Sequence, residues 1–367
     1  MNTSAATVSG LARIPCVWMR GGTSKAAFFQ ARDLPYDRDA RDRLLLAAMG
    51  SPDGRQIDGI GGGTPLTTKI AIVSPAANAD ADVDYLFGQV VIGEARIDYT
   101  PTCGNILAGV GPFAIERGLM SAGEGETVVR IRMVNTGGLC EAVVRTPGGR
   151  VSYKGDLRIS GVPTPGAPIE LRFRDIAGSS CGALYPTGNR LDIVEGVGVT
   201  CIDNGMPVVL IRATDIGVTG YESPADLDAD TGLKTRIEAI RLAAGPLMGL
   251  GDVAGKVVPK MTLVSAPRDG GDLNTRSFIP HKCHDAIGVL GAASVATAFA
   301  EAGTVCAPLA GGHGEAGVRD ISVEHPTGEF TIRLSGGRDE EAPAVALLRT
   351  ARPLFEGHVL VPTGTDV

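Results

Sequence analysis

Cys103 stands before Gly104 and Asn105, at the head of the apolar, small-residue run ILAGVGPFAIERGL. That run reads as a helix, so the thiol and the two residues after it fall where backbone N–H groups lack intrahelical partners and the helix dipole favours negative charge. Such a position suits a reactive thiolate, and the same N–H groups can hold a carboxylate. A buried free cysteine serving as a small hydrophobe fits the position equally well. Lys69 lies inside the apolar strand KIAIV, directly after a glycine-rich loop. There it either snorkels from the strand end or points into a cleft, where partial burial favours the neutral amine that a general base needs. The stretch Arg20-Gly21-Gly22-Thr23-Ser24-Lys25 gathers two cations and two hydroxyls around a glycine pair. A carboxylate or phosphate pocket and an ordinary hairpin turn are both consistent with it.

The second half carries Pro280-His281-Lys282-Cys283-His284-Asp285. Two histidines at that spacing lack the third ligand a metal requires, and no HExxH pattern supplies it, so the reading is no metal site. His281 and Lys282 instead suggest a second helix start suited to anions. His313 and His325, in glycine- or proline-flanked loops, read as structural. There is no P-loop, no GxSxG elbow, and GIGGG lacks the strand and downstream acid of a dinucleotide fingerprint.

The elements that must position these groups follow from periodicity and turn residues. Residues 14–30 read strand, glycine turn, strand; 38–49 reads as a helix with Leu44, Leu45, Ala48 and Met49 on one apolar face. A glycine-rich loop, 51–65, leads into the strand around Lys69. Residues 84–92 and 94–99 read as paired strands joined at Gly93, and 127–160 as a β-meander. Strands resume at 191–194 and 207–211, a helix covers 234–244, and 261–265 is a strand. A small-residue helix is expected from His281 onward. Each half thus has strands followed by an alanine- and glycine-rich helix with polar residues in its first turn, which hints at an internal repeat. The fold class is α+β, with two lobes covering 10–185 and 186–367 and a last strand that returns to the first.

Of 367 residues, 44% are hydrophobic and 20% charged, with 51 glycines and few aromatics, which suits short strands and tight turns in a globular chain. A net charge of −7 with no basic run gives no general attraction to nucleic acid. No apolar run is long enough to span a bilayer, and residues 1–10 do not resemble a secretory signal. The seven cysteines, 16, 103, 140, 181, 201, 283 and 306, contain no CxxC pair, which points to reduced thiols and a cytoplasmic setting. A homodimer is the default expectation.

Longer motifs add a resemblance. MRGGTSK (19–25), GSPDGRQIDGIGGG (50–63), PLTTK (65–69), CGNILAGVGPFAIERGL (103–119), PTGN (186–189), HKCHDAIGVLGAASVATA, HPTGEF (325–330) and TARPLFEG resemble the 2-methylaconitate isomerase family, and within it the 4-oxalomesaconate tautomerases. The resemblance covers nearly the whole chain. It implies a diaminopimelate-epimerase-like fold: two similar lobes, each a β-sheet wrapped around a central helix, with the active site in the cleft between them and no cofactor. By position Lys69 matches the family's base and Cys103 its cleft cysteine. The epimerases use one cysteine from each lobe, whereas His281-Lys282 stands at the matching place here, which favours the isomerases over the racemases.

The implied reaction starts from a small unsaturated di- or tricarboxylate. Lys69 removes an allylic proton, and the dienolate is held by N–H groups at Cys103, Gly104 and Asn105 and by Arg20, Lys25, His281 and Lys282. Thr23, Ser24 and Thr68 orient carboxylates, and a proton returns elsewhere from Cys103, the lysinium or water. Three readings stand: isomerisation or keto–enol tautomerisation of 4-oxalomesaconate in gallate and protocatechuate breakdown; the same chemistry on 2-methylaconitate, aconitate or methylitaconate; and a non-catalytic tricarboxylate-binding protein.

Overall fold

The computed structural model describes residues 10–309, 317–336 and 343–363; the expectation for His313 lies outside them. In chain order the strands are β1 (Leu11–Gly21), β2 (Ser24–Gln30), β3 (Lys69–Pro75), β4 (Val83–Val90), β5 (Ile97–Asp98), β6 (Gly125–Met133), β7 (Leu139–Thr146), β8 (Ile169–Phe173), β9 (Asp192–Val194), β10 (Val197–Asp203), β11 (Pro207–Arg212), β12 (Lys260–Ser265), β13 (Leu273–Phe278), β14 (Arg319–His325), β15 (Gly328–Ser335), β16 (Ala344–Arg349) and β17 (Ala351–Pro362). The helices are α1 (Arg38–Met49), α2 (Gly104–Glu116), α3 (Pro224–Ala229), α4 (Thr231–Leu247) and α5 (Val289–Ala300).

The chain divides into two compact units. Unit 1 holds residues up to Arg172 together with those from Leu348 onward, and unit 2 holds Phe173–Leu347. The division therefore falls at 172/173, where the sequence reading set it after 185, and β17 belongs to unit 1.

Unit 1 is a sheet in the order β17-β1-β2-β3-β4-β6-β7, with the short β5 also beside β4. From β1 onward the pairings alternate antiparallel and parallel, the parallel ones being β2 with β3 and β4 with β6. Each parallel step needs a crossover, and these carry α1 and α2. Asp37 starts α1 by accepting a hydrogen bond from the Ala40 N–H at 2.9 Å, and Gly50 ends it at φ 78°. Its buried face is Leu45, Leu46, Ala48 and Met49, so Leu46 takes the place expected of Leu44. The sheet wraps α2, which touches β1, β2, β3, β4, β6, β7 and β17. Residues Ile106 to Ala114 of α2 are all buried. The small residues are needed there, because a Cβ on Gly109 would lie 2.7 Å from the Phe28 ring and one on Gly111 2.9 Å from a Val144 methyl.

Unit 2 repeats this plan in the order β9-β10-β11-β12-β13-β14-β15-β16, alternating from β10 to β15, with β11/β12 and β13/β14 parallel and the other pairs antiparallel. An Asp N-cap again starts the first crossover's long helix: Asp230 accepts from the Leu233 N–H at 2.9 Å before α4. Its central helix, α5, is buried from Gly291 to Phe299 and touches β10, β11, β14 and β15. The fold is thus α+β, with a sheet around a central helix in each unit, as the resemblance implied.

Two local expectations fail. The helix expected from His281 begins only at Val289, because Cys283 bridges back to Phe278 and the His284 N–H donates to Ser277 O at 2.8 Å, extending the edge of β13. The meander expected over 127–160 ends with β7, after which Leu157 and Gly166 form only an isolated bridge.

Candidate active site

The head of α2 is built from three stretches distant in sequence. Cys103 is the N-cap residue, half-buried, with extended backbone and no side-chain cap. The N–H groups of Gly104 and Asn105 belong to the helix's unpaired first turn. The β1–β2 hairpin presses its glycines onto this turn: Cβ atoms on Gly21 or Gly22 would overlap the Asn105 carbonyl or side chain. The Asn105 amide is fixed from both sides, since Nδ2 donates to Thr23 Oγ1 at 3.0 Å and Oδ1 accepts from Arg349 Nε at 3.1 Å. Arg20 donates to Gly22 O at 2.8 Å and Thr350 O at 2.9 Å. Burial, and then the nearby Arg352, lower its guanidinium from the ordinary value. Ser24 Oγ and Thr350 Oγ1 are buried hydroxyls with no partner among the described residues. Lys25 ties the hairpin to the glycine-rich loop, its N–H donating to Leu66 O at 2.9 Å.

Lys69 opens β3 and is 8% exposed. Its Nζ donates to Gln89 Oε1 at 2.6 Å and lies 5.2 Å from the centre of the Phe87 ring. Gln89 and Phe87 come from β4, which pairs with β3 so that Lys69 faces Gln89. The preceding Thr68 is wholly buried and donates to Gln56 Oε1 at 2.8 Å, which also accepts from the Gly63 N–H at 2.8 Å. Gln56, at φ 53° and 2% exposed, thereby pins the glycine-rich loop to the start of β3. Further along the same strand face, Tyr85 is fully buried with a hydroxyl lacking a partner among the described residues. Burial, and behind it the charge at Cys103, push its phenol well above the ordinary range.

Unit 1 therefore brings Thr23, Asn105 and the glycine pair into one bonded cluster and pairs Lys69 and Thr68 each with a glutamine. His281 and Lys282 belong to unit 2 and do not start a helix. They form the tip of a turn in which the Ile279 N–H donates to Lys282 O at 2.9 Å, and the exposed His281 ring sits 3.5 Å from Glu238 Oε2. Any anion contact they make rests on side chains alone. No cluster of three or more His, Cys, Asp or Glu is placed to hold a metal ion among the described residues. A cavity of about 50 Å³ in unit 1, lined in part by Cys16, Phe28, Gln30, Phe113 and Arg117, contains none of the candidate residues.

Gln56, Gln89, Tyr85 and Arg349 were missed from sequence. An uncharged amide has no distinctive spacing, but counting back along the β3–β4 hairpin from Pro75 opposite Val83 would have set Gln89 across from Lys69.

The two units define an α+β protein in which a sheet surrounds a central helix twice, and the relatives it matches are named isomerases and tautomerases. The chain belongs to the PrpF protein family, whose model matches residues 11–362. A Pseudomonas putida protein named 4-oxalomesaconate tautomerase is 59% identical over 356 residues, covering 97% of this chain and 98% of that one. A Novosphingobium protein named (4E)-oxalomesaconate Delta-isomerase is 57% identical, covering 95% of this chain and 97% of its own. The crystal structure of a methylitaconate-delta-isomerase matches with a TM-score of 0.85 at 35% identity, over 98% of this chain and 99% of that one. Among the described residues no helix is long and apolar enough to cross a membrane.

Proposed function

We propose that this isomerase shifts a proton within 4-oxalomesaconate, by allylic double-bond migration or keto–enol tautomerisation. The observation that carries the substrate is the 59% identity, over nearly the whole chain, to a protein named for that reaction. In this reading Lys69 is the base. It is buried beside a neutral amide, with no carboxylate paired to it among the described residues. The substrate's C–H bond breaks, its proton goes to Nζ, and the electron pair spreads into the conjugated carbonyl or carboxylate. The unpaired N–H groups of Gly104 and Asn105, with Arg20 and Lys25, hold the resulting anion. Thr23, Ser24 and Thr68 orient carboxylates, and Cys103 or the lysinium returns the proton at another atom. These groups suffice for the proton transfers, so the reading includes no cofactor. It places the enzyme in the cytoplasm and in the breakdown of aromatic acids.

The test is a proton NMR time course in D₂O with EDTA, offering 4-oxalomesaconate, 2-methylaconitate and cis-aconitate separately. Isomer formation with deuterium at the allylic carbon is expected for 4-oxalomesaconate. Turnover of 2-methylaconitate alone would transfer the proposal to that substrate, and binding without exchange of any of the three would replace catalysis with binding.

A further inference from the structure

Lys69 has one hydrogen-bond acceptor among the described residues, and that acceptor cannot turn away. The Gln89 amide nitrogen donates to Thr68 O at 2.9 Å, Val90 O at 3.3 Å and Pro65 O at 3.4 Å. Flipping the amide would set its oxygen against three carbonyl oxygens and its NH₂ group against the lysine nitrogen. Oε1 is thereby committed to Lys69 Nζ at 2.6 Å.

We propose that Gln89 is the positioning residue of the Lys69 base, aiming its lone pair and setting the pH at which it becomes available. The inference rests on the reading of Lys69 as base. A neutral amine has two N–H bonds and one lone pair, and an oxygen that can only accept takes an N–H. The lone pair is then excluded from the Gln89 side and left free for a substrate C–H. After proton abstraction the lysinium keeps the same N–H···O bond, so the nitrogen does not reorient between the two halves of the reaction. A neutral amide stabilises a lysinium less than a carboxylate would. The other ionisable groups on elements packed against β3 are Lys25 on β2, Asp84 and Tyr85 on β4, Cys103 at the head of α2, Glu116 at its far end, and Arg32 and Asp33 in the turn after β2, with Asp98 on β5 beyond β4. None of them bonds Nζ. Asp84 is engaged by Arg132, and Asp98 accepts from the Thr100 N–H. Gln89 is therefore the group that holds this amine among the described residues.

The experiment is the pH dependence of kcat and KM for Gln89→Met and Gln89→Glu beside the unaltered enzyme, with 4-oxalomesaconate. The base must be unprotonated, so activity rises as pH passes its pKa. Methionine removes the acceptor and leaves the ammonium in an apolar site. The rising limb should move to lower pH, with kcat down about tenfold or more and KM little changed, as expected for a misdirected base. Glutamate adds negative charge beside the ammonium, so the limb should move to higher pH by about one unit, with activity recovered in alkali. Limbs that stay in place in both variants, or move together, overturn the proposal, since a merely structural glutamine would not shift them in opposite directions. Should the methionine variant not fold, an unmoved limb in Gln89→Glu decides against the proposal alone. Lys69→Ala separates the two claims: if it abolishes turnover while the Gln89 variants leave the limb in place, only the role of Gln89 fails. If it keeps the limb, the base is another group.

Discussion

Lys69 and Lys260 occupy the same place in two copies of one plan. Each is the first residue of the strand that follows the first crossover, paired in parallel with the strand before it. Their surroundings differ. Lys69 is received by Gln89, whereas the Lys260 side chain forms no hydrogen bond or ion pair among the described residues, and burial lowers its amine from the ordinary value. The central helices differ in the same sense. α2 is headed by Cys103 and by an Asn105 clamped between Thr23 and Arg349; α5 is headed by Gly288, with no side-chain cap. Its polar residues sit mid-helix, where Ser294 Oγ accepts from the Asn204 N–H and Thr297 Oγ1 from Asn204 Nδ2. One copy of the fold gathers polar groups at a helix start, and the other uses them to hold helix to sheet. Duplicated architecture does not duplicate polar contacts.

The strongest attempt to break this contrast exchanges the two lysines' fates. Lys69→Ala should lower kcat by roughly 10²–10⁴-fold, the usual worth of a positioned base, with the protein still folded. Lys260→Ala should leave kcat essentially unchanged; equal losses in both would end the asymmetry. In unit 2 the buried Arg241 donates to both Glu238 oxygens and to the carbonyls of Val253, Lys256 and Val258. Arg241→Leu should cost about 3–5 kcal/mol in urea unfolding, because it strands those partners. The hydrogen bond from Arg241 holds the Glu238 carboxyl below its ordinary value. Its contribution is complete above the unfolded carboxyl's pKa and fades as pH falls through the folded one, so the cost should shrink in acid. Gly21→Ala forces a methyl against the Asn105 carbonyl and should cost about 1–3 kcal/mol in the same assay while weakening substrate binding. Gly288→Ser is the gentlest change: no atom lies within 4 Å of its added Cβ, and the hydroxyl can cap α5. A rise in stability of a few tenths of a kcal/mol with unaltered kcat is expected, seen as a small increase in Tm.

Much of unit 1 was legible because local signals and tertiary needs agree there. Asp37 and Gly50 bracket α1 as a cap and a stop, and Cys103-Gly104-Asn105 opens α2 where the pattern sets it. The late start of α5 was not legible, since residues 282–284 are held by pairing back to the end of β13, a contact that periodicity does not report. Strands β14 and β15 were unread, although they pair over seven residues from Arg319 to His325. Of the candidate site, the charged and thiol residues could be found by type. The amides that hold them could not, because their importance lies in register and in which way an uncharged group is turned.

The longest strand of unit 1 comes from its far end. β17 pairs with β1 from Leu11 opposite Pro362 to Gly21 opposite Ala351, so β1 lies between β2, its neighbour in sequence, and a partner synthesised more than three hundred residues later. On a ribosome, all of residues 173–347 emerge before β17 does. The unit that is first in sequence is thus the last to be completed, and until then β1 presents an open edge beside the hairpin that packs on Asn105. The order of manufacture reverses the order of the text: the unit that carries Lys69 and Cys103 is closed only when almost everything else has been made.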